Sequence, residues 1–142
     1  MIKGLDHVAL SVANLERSIA FYRDNFGFTV IRIIECPPEM RLGDVAGMRG
    51  CTARIAHLNA GSTMLELFEY QNPRGRKISA NHKQADHGFI HIGLVSDDVL
   101  ADYAKLAGGG VRFFGAPLEF RPGTWIVYFY GPDGEVCELR QT

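Results

Sequence analysis

Four side chains carry the chemistry that this sequence spells out. They are His7 in Asp6-His7-Val8-Ala9-Leu10, Glu66 in Met64-Leu65-Glu66-Leu67, His91 in Phe89-Ile90-His91-Ile92-Gly93-Leu94, and Glu138 in Val136-Cys137-Glu138-Leu139. Each histidine interrupts an otherwise apolar run that reads as a short strand. Each glutamate is flanked by apolar neighbours, a costly place for a carboxylate unless a cation or strong donors compensate. Imidazole nitrogen together with carboxylate oxygen suits one divalent metal per site: Zn, Ni, Co, Mn or Fe(II). A lone strand histidine is more often a hydrogen-bonded core residue, and a lone strand glutamate more often faces water. The four gain meaning by occupying equivalent places in a repeat, which points to a metal site at the seam of two similar halves.

The elements that must position them follow from periodicity. Leu5 to Val12 alternates as a strand, with His7 and Ala9 on one face and Val8 and Leu10 on the other. Asn14 is a candidate N-cap, Leu15, Ile19, Tyr22 and Phe26 form a helical stripe, and Gly27 stands where a helix ends. Phe28 to Glu35 predicts a second strand, ended by Cys36-Pro37-Pro38. Glu39 to Gly50 predicts a loop with a short helical turn. Cys51 to Leu58 and Thr63 to Tyr70 predict a hairpin.

The second half repeats this order. Phe89 to Val95 predicts a strand, Asp97 or Asp98 caps a helix, and Gly108-Gly109-Gly110 stops it. Val111 to Phe114, Thr124 to Tyr130 and Glu135 to Arg140 predict the remaining strands. The order β-α-β-β-β thus occurs twice, in a first repeat over about 1–72 and a second over about 87–142. The polar segment 73–86 between them reads as a linker or a lid.

Composition narrows the partners. A chain of 142 residues, 46% hydrophobic and 22% charged, fits one domain or two small halves sharing a core. A net charge of -1 supplies no basic field, so neither nucleic acid nor an anionic membrane is an expected partner. Neither a membrane-length apolar run nor a signal peptide is visible, which predicts a cytoplasmic protein. Cys36, Cys51 and Cys137 lack metal-type spacing and read as reduced thiols.

Substrate contacts depend on the hairpin register. An even loop sets Ile55 across from Glu66 and puts His57 on the same side. A three-residue loop, 59–61, sets Arg54 across from Glu66 instead. Arg54 is the favoured choice, because a cation helps an acidic cup bind an anionic substrate. Ile126, Tyr128 and Tyr130 share one face of the strand beside Glu138, and Tyr128 is the candidate pocket residue there.

With these motifs in place, the chain resembles the vicinal oxygen chelate superfamily. That superfamily includes glyoxalase I, methylmalonyl-CoA epimerase, extradiol dioxygenases, fosfomycin-resistance enzymes and bleomycin-binding proteins. The likeness runs over essentially the whole chain; Asp6 to Leu10 leading into Leu15 to Tyr22, and Gly131-Pro132-Asp133-Gly134 leading into Glu138-Leu139, are specific parts of it. It implies an α+β fold, two βαβββ repeats forming a U-shaped mixed sheet around a metal cup with helices outside. It implies His7, Glu66, His91 and Glu138 as metal ligands, and a homodimer. The implied chemistry is proton transfer or lyase chemistry on a small oxygen-chelating substrate, with Glu66 and Glu138 as general acid-base groups. An extradiol dioxygenase using His7, His91 and Glu138, or a metal-free small-molecule (drug) binding protein, is the alternative.

Overall fold

A computed structural model describes all residues, 1–142. The fold is α+β, and the chain divides into two compact units, residues 1–76 and 77–142. Unit 1 contains β1 (His7–Ser11), α1 (Leu15–Phe26), β2 (Thr29–Cys36), a 3₁₀ turn (Pro38–Met40), α2 (Leu42–Ala46), β3 (Thr52–Asn59) and β4 (Met64–Asn72). Unit 2 contains β5 (Ile92–Val95), α3 (Val99–Gly108), β6 (Leu118–Arg121), β7 (Thr124–Tyr130) and β8 (Val136–Gln141). Each unit is one four-stranded mixed sheet, in the orders β1-β4-β3-β2 and β5-β8-β7-β6. In both, the first strand runs parallel to the last, and the remaining pairs are antiparallel.

Local chemistry explains the helices. The Asn14 side chain accepts a hydrogen bond from Arg17 N at 2.8 Å, and Gly27, at φ 70°, lets its N–H close on Arg23 O. Such a left-handed cap favours glycine because it carries no Cβ. Leu15, Ile19 and Tyr22 are buried on one stripe of α1, and the strand residues alternating inward with them, Ala56, Leu58, Leu65 and Leu67, are buried too. In unit 2, Asp98 caps α3 through Ala101 N. Val99 and Leu106 are buried there with Val127, Phe129, Cys137 and Leu139.

The first helical amide meets a β-strand side chain in both units. Leu15 N donates to Glu69 Oε2 at 3.1 Å, and Val99 N donates to Gln141 Oε1 at 3.0 Å. Orphan donors at helix starts need such partners. Glu69 lies three residues after Glu66 and Gln141 three after Glu138, so the repeat extends to the device that docks each helix.

Two expectations need correction. The strand expected over 89–95 begins only at Ile92, which leaves His91 just before it. The strand expected over 111–114 is a single bridge, Phe113 to Phe129, and β6 forms instead at Leu118–Arg121. The Gly115-Ala116-Pro117 break separates the two pieces, although Arg112 and Phe114 still bond to the β7 backbone. The three cysteines are buried and form no disulfide.

Candidate metal and substrate site

The strand register aligns the candidate residues in rows. In unit 1, Ala9 pairs with Glu66, Glu66 with His57, and His57 with Arg32. In unit 2, Gly93 pairs with Glu138, and Glu138 with Tyr128. His7 stands two residues before Ala9, and His91 two before Gly93. Alternation along a strand therefore puts each histidine on the face of its glutamate.

Hairpin geometry decides between the two expected registers. Asn59 pairs with Met64, enclosing the four residues 60–63, so the loop is even. His57, not Ile55 or Arg54, stands directly opposite Glu66. Arg54 pairs instead with Glu69 on the α1 side of the sheet, a shift that moves it to the opposite face. There its guanidinium meets Glu16 at 2.6 Å, Glu35 at 2.9 Å and Glu69 at 3.6 Å. The expectation that Arg54 contacts a substrate beside Glu66 is thereby overturned; Arg54 ties helix to sheet. Hydrogen bonds to Glu16 and Glu35 push its pKa up, and the bond from Arg54 holds that of Glu16 down.

Glu66 is 8% exposed and bracketed by two imidazoles. His57 Nε2 lies 3.1 Å from Oε1, and His7 Nε2 lies 3.4 Å from Oε2. Arg32 Nε donates to His57 Nδ1 at 3.0 Å. The bond requires a lone pair on His57 Nδ1, so the neutral ring carries its proton on Nε2, the nitrogen 3.1 Å from Glu66 Oε1. On the other side, His7 Nδ1 lies 2.8 Å from Asp6 Oδ1, a bond that raises the His7 pKa, with the Glu66 charge adding to it.

Unit 2 repeats half of this arrangement. Glu138 is also 8% exposed, and His91 Nε2 lies 3.8 Å from its Oε2, beyond hydrogen-bond length. Gln84 Nε2 donates to Ile90 O, which turns Gln84 Oε1 toward His91 Nδ1 at 3.2 Å. An amide oxygen only accepts, so His91 carries a proton on Nδ1, and in the neutral ring its Nε2 lone pair faces Glu138. Tyr128 stands across from Glu138, its ring 5.1 Å from that of His91; burial first, and the Glu138 charge second, raise its pKa.

A lone pair and a carboxylate facing each other call for something positive between them. Holding Nδ1–H on an oxygen acceptor is also the usual outer arrangement of a metal-ligating histidine. Gly93 adds to the fit: a Cβ there would stand 3.3 Å from Glu138 Oε2, so its absence keeps the carboxylate's flank open. The donor set fits a divalent cation. The chain gathers no group of three or more His, Cys, Asp or Glu side chains that could hold a metal ion.

Comparison with known proteins then places the chain. Residues 4–139 match the model of the Glyoxalase/Bleomycin resistance protein/Dioxygenase superfamily. The chain belongs to this superfamily. A 2-epi-5-epi-valiolone epimerase from Actinomyces sp is 34% identical, over 96% of this chain and 78% of that protein. The metallothiol transferase FosB of Staphylococcus epidermidis is 30% identical, over 99% and 84%. Among solved structures, a glyoxalase family protein from Bacillus cereus superposes with a TM-score of 0.87 over 99% of this chain and 94% of its own, at 18% identity. That likeness supports the fold. No helix of the chain is long and apolar enough to cross a membrane.

Arg32 and Gln84 escaped the sequence reading, for different reasons. Arg32 faces His57 only because β2 carries a bulge between Val30 and Arg32, which shifts the pairing by one residue. No residue type announces that bulge. Gln84 lies in a coil segment with no periodicity to reveal its side chain's direction.

Proposed function

We propose that His7 with Glu66, and His91 with Glu138, are ligand pairs for a divalent metal. We further propose that the chain is an epimerase- or glyoxalase-like enzyme acting on a small oxygen-chelating substrate. The observation that carries this reading is the same in both units: an imidazole Nε2 directed at a buried carboxylate. The epimerase relative at 34% identity, and the metal in the name of the transferase relative, support it. A bound cation would supply Lewis-acid stabilisation of negative charge developing on a substrate oxygen.

The chain's own groups do the rest. Glu66 takes the proton from the carbon next to the carbonyl, while His57 steadies its Oε1. Glu138, the matching group of the second repeat, supplies the proton that the carbon takes back, because inversion needs removal from one face and delivery to the other. Tyr128 contacts the substrate beside Glu138. In this reading the chain acts as a homodimer.

Elemental analysis and deuterium exchange test the proposal together. About one zinc, nickel, cobalt, manganese or iron per chain is expected, and its loss in His91→Ala. The activity probe is solvent deuterium entering α-hydroxyketones, including 2-epi-5-epi-valiolone, followed by proton NMR. Glu66→Gln should keep its metal yet lose exchange by about 10²- to 10⁴-fold, the usual weight of a general base. Full exchange in Glu66→Gln would overturn its role as base. Failure of the apo protein to take up any of the metals would overturn the site.

A further inference from the structure

Unit 2 contains a cavity of about 640 Å³ whose chemistry the four ligand-type residues do not use. We propose that it is a binding subsite for an oxyanion, a carboxylate or a phosphate, carried on an apolar or aromatic stem. Its lining includes Arg112, Lys83 and Ser79 on the polar side and Phe114, Tyr130 and Val136 on the other. Neither Arg112 nor Lys83 makes an ion pair, whereas the cavity's other basic group, His82, lies 3.4 Å from Asp86. Asp133 is the one carboxylate in the lining, so the charged groups leave it net positive.

Arg112 is prepared for planar recognition. Its guanidinium carbon lies 4.3 Å from the Tyr130 ring centroid, and Tyr130 is stacked on Phe114 at 4.5 Å and 20°. Stacking restrains the fork while its N–H edge stays available, which lowers the entropy lost when an oxyanion docks. The aromatic pair and Val136 offer an apolar wall for the stem. Cavities of this size with a few convergent polar groups are ordinary small-molecule sites.

Two connections tie the subsite to the proposed reaction. Tyr130 and Val136 pair with each other two residues from Tyr128 and Glu138, on the same face of the sheet. The segment that walls the cavity, 78–84, ends in Gln84, the residue that orients His91. The inference deepens the proposed function by naming an anionic, apolar-stemmed substrate class. Only that link rests on the metal reading, because the cavity's own groups bind without a metal.

The test therefore uses the full chain stripped of metal with a chelator, titrated calorimetrically with phenyl phosphate, benzoate and benzyl alcohol. At least one anion should bind about tenfold more tightly than the neutral alcohol, the weight of one charge-assisted hydrogen bond. Preference for phenyl phosphate assigns a phosphate ligand, and preference for benzoate a carboxylate. Arg112→Gln should weaken the anion about tenfold, and Arg112→Lys by less, because the charge remains without the fork. Lys83→Gln provides a second, independent loss, and unchanged melting curves exclude misfolding as its cause. Equal affinity for benzyl alcohol, no heat from either anion, or undiminished binding in both Gln variants would overturn the subsite. None of these outcomes bears on metal uptake, which is measured separately.

Discussion

The row through Glu66 and the row through Glu138 begin alike and then part. Each has a histidine two residues before a small partner, Ala9 or Gly93, that pairs with the glutamate. Across the next strand, unit 1 places His57, backed by Arg32, and unit 2 places Tyr128, beside Phe114. Glu66 thus has an imidazole beside each oxygen, while Glu138 stands across from Tyr128 with a single imidazole 3.8 Å away. A duplicated scaffold has kept the ligand-type pair and changed the neighbour that steadies it. The difference suggests two jobs for two equivalent carboxylates: one restrained and fed by a hydrogen-bond relay, the other open on its flank.

The largest test of that contrast is at the small residues. Gly93→Leu fills the space against Glu138 Oε2. It should lower the affinity of the apo protein for Co(II), read from visible absorption, by about 100-fold, the upper range for disturbing a ligand's surroundings. Ala9→Gly removes atoms from the corresponding place in unit 1 and should cost well under the ~10-fold that marks such a disturbance. Equal losses in both variants would mean that the open flank belongs to both rows, and the contrast would fail.

Next come the residues that differ. In metal-free protein, His57→Phe leaves the buried Glu66 without its Oε1 partner and Arg32 without its acceptor. The expected cost is about 2 kcal/mol in urea denaturation, the range for orphaning a buried charged acceptor. Tyr128→Phe removes one hydroxyl and keeps the ring contacts with His91 and Phe114, so it should cost under ~0.5 kcal/mol. A loss in Tyr128→Phe as large as that in His57→Phe would show that Glu138 too depends on its cross-strand partner.

Sequence carried the repeat further than it carried the site. Alternation and helical stripes were enough to find β1, α1, β3, β4, α3, β7 and β8, because each buries one face or stripe against another element. Asn14 and Gly27 marked the ends of α1 because capping is local chemistry. β6 lies elsewhere than expected because the Gly115-Ala116-Pro117 break leaves a single bridge at Phe113 and regular pairing resumes only at Leu118–Arg121. In the candidate site, the matched positions of His7, Glu66, His91 and Glu138 in the two repeats are legible in the sequence. Their neighbours are less so: whether His57 or Arg54 faces Glu66 depends on loop parity, and the direction of Arg32 depends on a bulge, so each one-residue slip turns a side chain to the other face. Arg54 shows the consequence. Its charge suggested a substrate contact, while its register made it a clasp for α1.

That clasp gives the comparison its smallest and most specific test, because it too differs between units. Glu69 accepts the first amide of α1 within an ionised cluster with Arg54 and Glu16, whereas Gln141, paired with Trp125, accepts the first amide of α3 without charge. The Arg54 guanidinium holds the Glu16 pKa below its ordinary value. A depressed carboxylate pKa stabilises the folded state fully above the unfolded pKa, and that stabilisation disappears as pH falls through the folded one. Amide exchange should therefore show α1 losing protection relative to α3 as the pH drops from about 6 to about 3, across the carboxylate range. Glu16→Gln should reproduce part of that loss at neutral pH and leave α1 less sensitive to acid, with α3 unchanged in both proteins. Because Glu16 is exposed, the effect is small and should shrink further in high salt. If α3 loses protection in parallel, the acid response belongs to the chain as a whole, and the charged clasp of unit 1 confers nothing that the neutral one lacks.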